Sequence, residues 1–114
     1  MRRDDTAFGY FEAELTLLPP DEGGRQTAIR TGYRPDWWLP GDGTRQYASA
    51  TIEILGGTDL TPGATGRVRI YPFSPELWEH VDARSNLEMC EGPYVLGKAV
   101  VTRVVPAVAP AGTA

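Results

Sequence analysis

Residues 9–18 read Gly9-Tyr10-Phe11-Glu12-Ala13-Glu14-Leu15-Thr16-Leu17-Leu18, and the next six read Pro19-Pro20-Asp21-Glu22-Gly23-Gly24. Phe11, Ala13, Leu15 and Leu17 recur at every second position, with Glu12, Glu14 and Thr16 between them. Successive side chains of a strand point to opposite faces, so a period of two predicts a half-buried antiparallel strand. The Pro-Pro-Asp-Glu-Gly-Gly run then ends it with strong turn chemistry.

The rest of the chain repeats the theme. Tyr47 to Leu55 alternates again, with Ala48, Ala50, Ile52 and Ile54 on one side. Arg67 to Tyr71 places Val68 and Ile70 inward and Arg67, Arg69 and Tyr71 outward. Thr27–Tyr33, Trp37–Leu39 and Leu87–Cys90 are shorter β-prone stretches, and Tyr94–Val105 is a closing strand with valines on both faces. Pro35 has no N–H for a central ladder and belongs at a strand start, an edge or a bend. Pro40-Gly41-Asp42-Gly43, Gly56-Gly57, Thr61-Pro62-Gly63 and Glu91-Gly92-Pro93 punctuate these runs as loops and turns. Between Pro72 and Asn86 the pattern fits either an irregular loop or one helical turn begun by Pro75 with Ser74 as cap. Short strands separated by turn signals, without a strongly amphipathic helix, predict a small all-β barrel or sandwich of about six strands. Residues 1–8 read as a polar lead-in, 9–105 as one β-barrel domain, and 106–114 as a flexible Pro- and Ala-rich tail.

Composition narrows the classes. The chain has 114 residues, 41% hydrophobic and 23% charged, which suits one soluble domain burying on the order of 65% of its unfolded surface. Its 13 glycines and 10 prolines exceed the combined average of roughly 12% and favour many turns. A formal charge of −4 is unfavourable for approach to a phosphate backbone. Cys90 is the only cysteine, which excludes an internal disulfide and a cysteine-based zinc site within one chain and suits a reducing compartment. No apolar run approaches the ~20 residues of a membrane helix. Met1-Arg2-Arg3-Asp4-Asp5 is not followed by the apolar region of a secretory signal. A cytoplasmic location is therefore the expectation.

Three motifs stand at regular separations: Phe11-Glu12-Ala13-Glu14-Leu15, then Glu22-Gly23-Gly24-Arg25 with Thr27, then Gly32-Tyr33-Arg34-Pro35. Together they resemble the opening of the C-terminal (third) β-barrel domain of elongation factor Tu, matching it without a gap from Phe11 to Pro35. Two looser echoes follow. Leu60-Thr61-Pro62-Gly63 is similar to that family's M-x-P-G-D turn, with Ala64 in place of Asp. Glu91-Gly92, Gly97 and Val100-Val101 are similar to its E-G-G-R-T-V-G-A-G-V-V ending. The resemblance implies a closed antiparallel barrel of six strands and a stand-alone module associated with translation. The family's GTPase domain carries a G-x-x-x-x-G-K-S/T loop that has no counterpart here, so neither GTP hydrolysis nor any other catalysis is expected, and no cofactor.

In that family the domain helps hold the T-stem of aminoacyl-tRNA, through the loop arginine that Arg25 matches and the closing turn that Gly92 matches. Cys90 stands where the family has Arg before E-G-G, Pro93 replaces the second glycine and Tyr94 the next Arg. The lost cations weaken a phosphate-binding surface. The leading expectation is a protein partner, with tRNA or other RNA second, and a ligand-binding or enzymatic barrel that has reused the fold as the rival class.

Candidate partner-facing residues are Arg25, Tyr33, Arg34, Trp37, Trp38, Gly92 and Tyr94. Trp37 and Trp38 are adjacent, so one should be core and the other exposed, and exposed Trp is enriched in binding hot spots. Arg34 is expected to pair across the sheet or stack on Tyr33 or Trp37, and Trp78 to anchor its loop. His80 has no second histidine or nearby cysteine, which argues against a metal. A Cys90–His80 nucleophile pair and a Glu12/Glu14 glycosidase-like carboxylate pair are conceivable on residue type. A buried thiol and the solvated face of a strand account for them with fewer assumptions.

Overall fold

A computed structural model of the protein describes residues 9–40 and 46–106. Six strands close into an antiparallel barrel: β1 (Tyr10–Leu17), β3 (Asp36–Leu39), β4 (Gln46–Ile54), β6 (Thr65–Pro72), β7 (Asn86–Glu91) and β8 (Tyr94–Val105). Around the barrel the order is β1-β6-β4-β3-β7-β8, and β8 returns to pair with β1. Two short strands, β2 (Ile29–Arg30) and β5 (Asp59–Leu60), pair with each other outside the barrel. The predicted all-β barrel is thus the observed one.

The period-two residues fill the interior. Phe11, Leu15, Leu17, Ile52 and Ile54 are all buried, as are Val68 and Ile70. Each large aliphatic side chain so placed contributes about 1.5–3 kcal/mol by leaving water. Small residues make room for the largest. Trp37, wholly buried, faces Ala48 on β4 and Met89 on β7, and its indole N–H donates to the Ala50 carbonyl at 3.3 Å.

The outer face is ordered by charge. Across β4, β6, β1 and β8, Glu53, Arg69, Glu12 and Arg103 stand opposite one another in register. Arg69 lies 3.4 Å from Glu12 and 3.8 Å from Glu53, with its guanidinium 5.0 Å from the Tyr10 ring centre. Its guanidinium donates a hydrogen bond to the Tyr71 hydroxyl, which raises its pKa above the ordinary arginine value. Glu14 faces Arg67 in the same pattern. The two glutamates of β1 are therefore members of a cross-strand charge ladder.

Several expectations are corrected. Only Ile29–Arg30 of the Thr27–Tyr33 stretch is strand. The chain from Gly32 leans instead on β4, through Gly32 N–H to the Ile52 carbonyl at 2.8 Å and Ile52 N–H to the Tyr33 carbonyl at 2.9 Å. Tyr71 faces outward by parity yet is 6% exposed, because Tyr10 packs on it at 5.4 Å and its hydroxyl bonds Glu53 at 2.6 Å. The helical turn is a 3-10 turn, Pro75–Trp78, and the Ser74 side chain does not cap it; the Ser74 carbonyl accepts the Leu77 N–H instead. Trp78 anchors this segment as expected, buried and stacked on Phe11 at 5.5 Å. The lead-in 1–8, the Gly41–Gly43 part of the predicted loop and tail residues 107–114 lie outside the described residues. No helix among the described residues is long and apolar enough to cross a membrane.

Candidate functional site

The first half of the site is built by the turn after β1. Pro19 and Pro20 preset the backbone for a 3-10 turn at Pro20–Glu22, which ends in Gly23 at φ +89°, a left-handed conformation. Gly24 follows with its N–H bonded to the Pro19 carbonyl at 2.9 Å. A Cβ on Gly24 would lie 2.0 Å from the Leu18 carbonyl oxygen, so only glycine fits there. The two glycines thereby turn Arg25 back toward the barrel.

Arg25 makes four side-chain hydrogen bonds. Its Nε donates to the Thr27 carbonyl at 3.1 Å, one terminal nitrogen to Thr27 Oγ1 at 3.2 Å, and the other to Tyr33 Oη at 3.4 Å and to the Glu91 carboxylate. Tyr33 Oη donates to the same Glu91 oxygen, and the guanidinium sits 5.1 Å from the Tyr33 ring centre. Arg25, Tyr33 and Glu91 thus form one cluster that joins the glycine turn to the end of β7.

The second half is a row across four strands, β4, β3, β7 and β8, that begins at Phe73 just past the end of β6. Phe73 N–H donates to the Ser49 carbonyl at 3.0 Å, Ser49 faces Asp36, Asp36 faces Cys90, and Cys90 faces Val95, next to the Glu91–Tyr94 pair. Ser49 Oγ donates to Asp36 Oδ1 at 2.8 Å. Strand spacing of about 4.8 Å makes the row roughly 20 Å long, measured around the curved barrel wall. Its ends carry Phe73, 68% exposed, and Tyr94, 69% exposed. In the adjoining row Tyr47 faces Trp38 with ring centres 4.5 Å apart, and Tyr47 Oη donates to the Gly92 carbonyl at the tip of the β7–β8 turn. Desolvation raises the Tyr47 pKa above its usual 10.0, and Cys90 and Asp36 beside it push in the same direction.

Six of the predicted residues therefore contribute to one rim of the barrel: Arg25, Tyr33, Arg34, Trp38, Gly92 and Tyr94. Trp37 does not; it is the core member of the tryptophan pair. Arg34 stacks on an aromatic ring, but on Phe73 at 5.4 Å rather than on Tyr33 or Trp37. Phe73, Tyr47 and Glu91 were not among the candidates. Alternation did place Tyr47 opposite the inward Ala48, whereas nothing local marks Phe73 as exposed. Cys90 is buried, with its thiol donating to the Glu88 carbonyl at 3.6 Å, while His80 is exposed. No group of three or more metal-binding side chains occurs among the described residues. No family model matches the chain.

Proposed function

We propose that this chain is a non-enzymatic binding module, similar to the C-terminal barrel domain of elongation factor Tu and associated with translation, that engages a protein partner through the Phe73–Tyr94 rim. The observation that carries this reading is a band of exposed aromatics along this rim. Phe73, Tyr47 and Tyr94, all exposed, sit along two adjoining rows together with Trp38, on a framework held by backbone pairing. Aromatic side chains on a rigid support are the anchors that protein interfaces use. Arg25, the residue that matches a tRNA contact, spends its donors on Glu91, Tyr33 and Thr27. A phosphate would have to displace a carboxylate there, which favours protein over RNA.

The test pairs a pull-down with a gel shift. A protein captured by the wild type, lost with Phe73→Ala and Tyr94→Ala and kept with Val100→Ala, supports the reading. Submicromolar tRNA binding that depends on Arg25 at about 0.15 M salt sinks it.

A further inference from the structure

The cations near the rim are not equivalent. Arg25 is neutralised by Glu91, and Lys98 stands opposite Glu88 in register. Arg34 is exposed and makes no ion pair among the described residues; its one recorded contact is the face of Phe73, 5.4 Å from guanidinium carbon to ring centre. A guanidinium over a ring face can keep its five N–H donors at its edge, and among the described residues none of those of Arg34 is spent on an ion pair. Immediately beside it lies the most apolar exposed part of the rim, Phe73 itself. A planar fork held next to an exposed ring matches a carboxylate neighbouring an apolar side chain, since arginine and carboxylate meet in a bidentate pair.

From this we infer that the partner presents an acidic segment, placing an Asp or Glu carboxylate on Arg34 and an apolar side chain against Phe73. This rests on the reading of the rim as a protein-binding surface. The surroundings select a single carboxylate over a polyanion. Asp36, two residues from Arg34, would repel a run of phosphates, while a peptide can offer one acid at Arg34 and neutral groups elsewhere.

The experiment is a magnetic-resonance titration of the full chain with two capped hexapeptides, one alternating glutamate and leucine and the other lysine and leucine, and with oligouridylate. The glutamate peptide is expected to shift the Arg34 Nε–H and the Phe73 amide saturably, at least tenfold more tightly than the lysine peptide. Arg34→Gln is expected to abolish that preference and Arg34→Lys to keep part of it, with the amide spectrum otherwise unchanged. Equal binding of the two peptides, an acid preference that survives Arg34→Gln, tighter binding of oligouridylate at these positions, or no shift at Arg34 and Phe73 would each overturn the inference. The rim as a protein-binding surface is judged separately, by the Phe73→Ala and Tyr94→Ala pull-down.

Discussion

Arg25 and Glu91, 66 positions apart in sequence, meet in an ion pair shared with the Tyr33 hydroxyl. The pair is partly solvated, with side chains 21% and 38% exposed, so screening limits its worth to at most about 1 kcal/mol. Its larger consequence is electrostatic, because the carboxylate occupies the one arginine that the resemblance assigns to tRNA. Replacing Glu91 by Gln removes a negative charge and frees a guanidinium. We expect Glu91→Gln to shift the urea midpoint only slightly and to strengthen tRNA binding in a gel shift, from the ~10⁻⁴–10⁻⁶ M of non-specific contacts, with a steeper salt dependence. Unchanged affinity and unchanged salt slope would show that Glu91 is not what restrains Arg25.

Tyr47 supplies a pH signature. Its folded pKa is raised above 10.0, chiefly by desolvation and then by Cys90 and Asp36. The folded state therefore holds this proton more tightly than the unfolded chain does. The resulting stability is complete below pH 10 and is lost as the pH climbs through the folded value. Denaturation midpoints across the alkaline range should fall less steeply for Tyr47→Phe than for the wild type, and ultraviolet difference titration should show that the tyrosine signal lost in Tyr47→Phe is one that ionises late. Identical alkaline profiles for the two proteins would contradict this.

Trp78 carries two opposed effects. It is 2% exposed and stacked on Phe11, but its indole N–H has no hydrogen-bond partner among the described residues. Truncation leaves a cavity, so Trp78→Ala should cost about 3–5 kcal/mol. Trp78→Phe keeps an aromatic ring over Phe11 and removes a buried unpaired donor, which by itself costs about 1–3 kcal/mol. Urea unfolding should therefore place Trp78→Phe much nearer the wild type than Trp78→Ala. Equal losses for the two would mean that volume alone decides at this position.

What the sequence reveals here is what period and punctuation encode. Leu15, Ile52 and Ile70 fall inside because each sits in an alternating run, and the bounds of Tyr94–Val105 follow from the Gly92-Pro93 turn before it and Pro106 after it. Alternation also requires one of Trp37 and Trp38 to be buried. It does not say which, since that depends on Ala48 and Met89 arriving opposite Trp37 from distant strands. Tyr71 does face outward, but its burial there is not legible for the same reason: its cover comes from Tyr10 and Glu53 on neighbouring strands. Six of the rim residues are legible in the sequence and Trp37 is not among them, while the closure of the rim by Glu91 and its widening by Phe73 are not legible, because both arise from pairing between distant parts of the chain.

The glycine turn ties the local sequence to the site and gives the sharpest structural prediction. Gly23 has φ +89° and open space around its Cβ position. Alanine there meets only the backbone penalty of the left-handed region, roughly 1–2 kcal/mol. Gly24 has no positive φ, yet its Cβ would stand 2.0 Å from the Leu18 oxygen and 2.7 Å from the Pro19 oxygen. Those are backbone atoms, so no side-chain rotation relieves the clash, and the turn itself must move. Gly24→Ala should thus destabilise by more than Gly23→Ala, in contrast to the gain of about 0.4–1 kcal/mol that Gly→Ala brings where the native conformation accepts it. Displacing the turn also carries Arg25 away from Glu91, so Gly24→Ala should perturb the Tyr33 and Glu91 resonances, whereas Gly23→Ala should leave them nearly in place. A Gly24→Ala protein as stable as Gly23→Ala, with Tyr33 and Glu91 undisturbed, would refute the close approach and the mechanical link it makes between the Glu22–Arg25 turn and the rim.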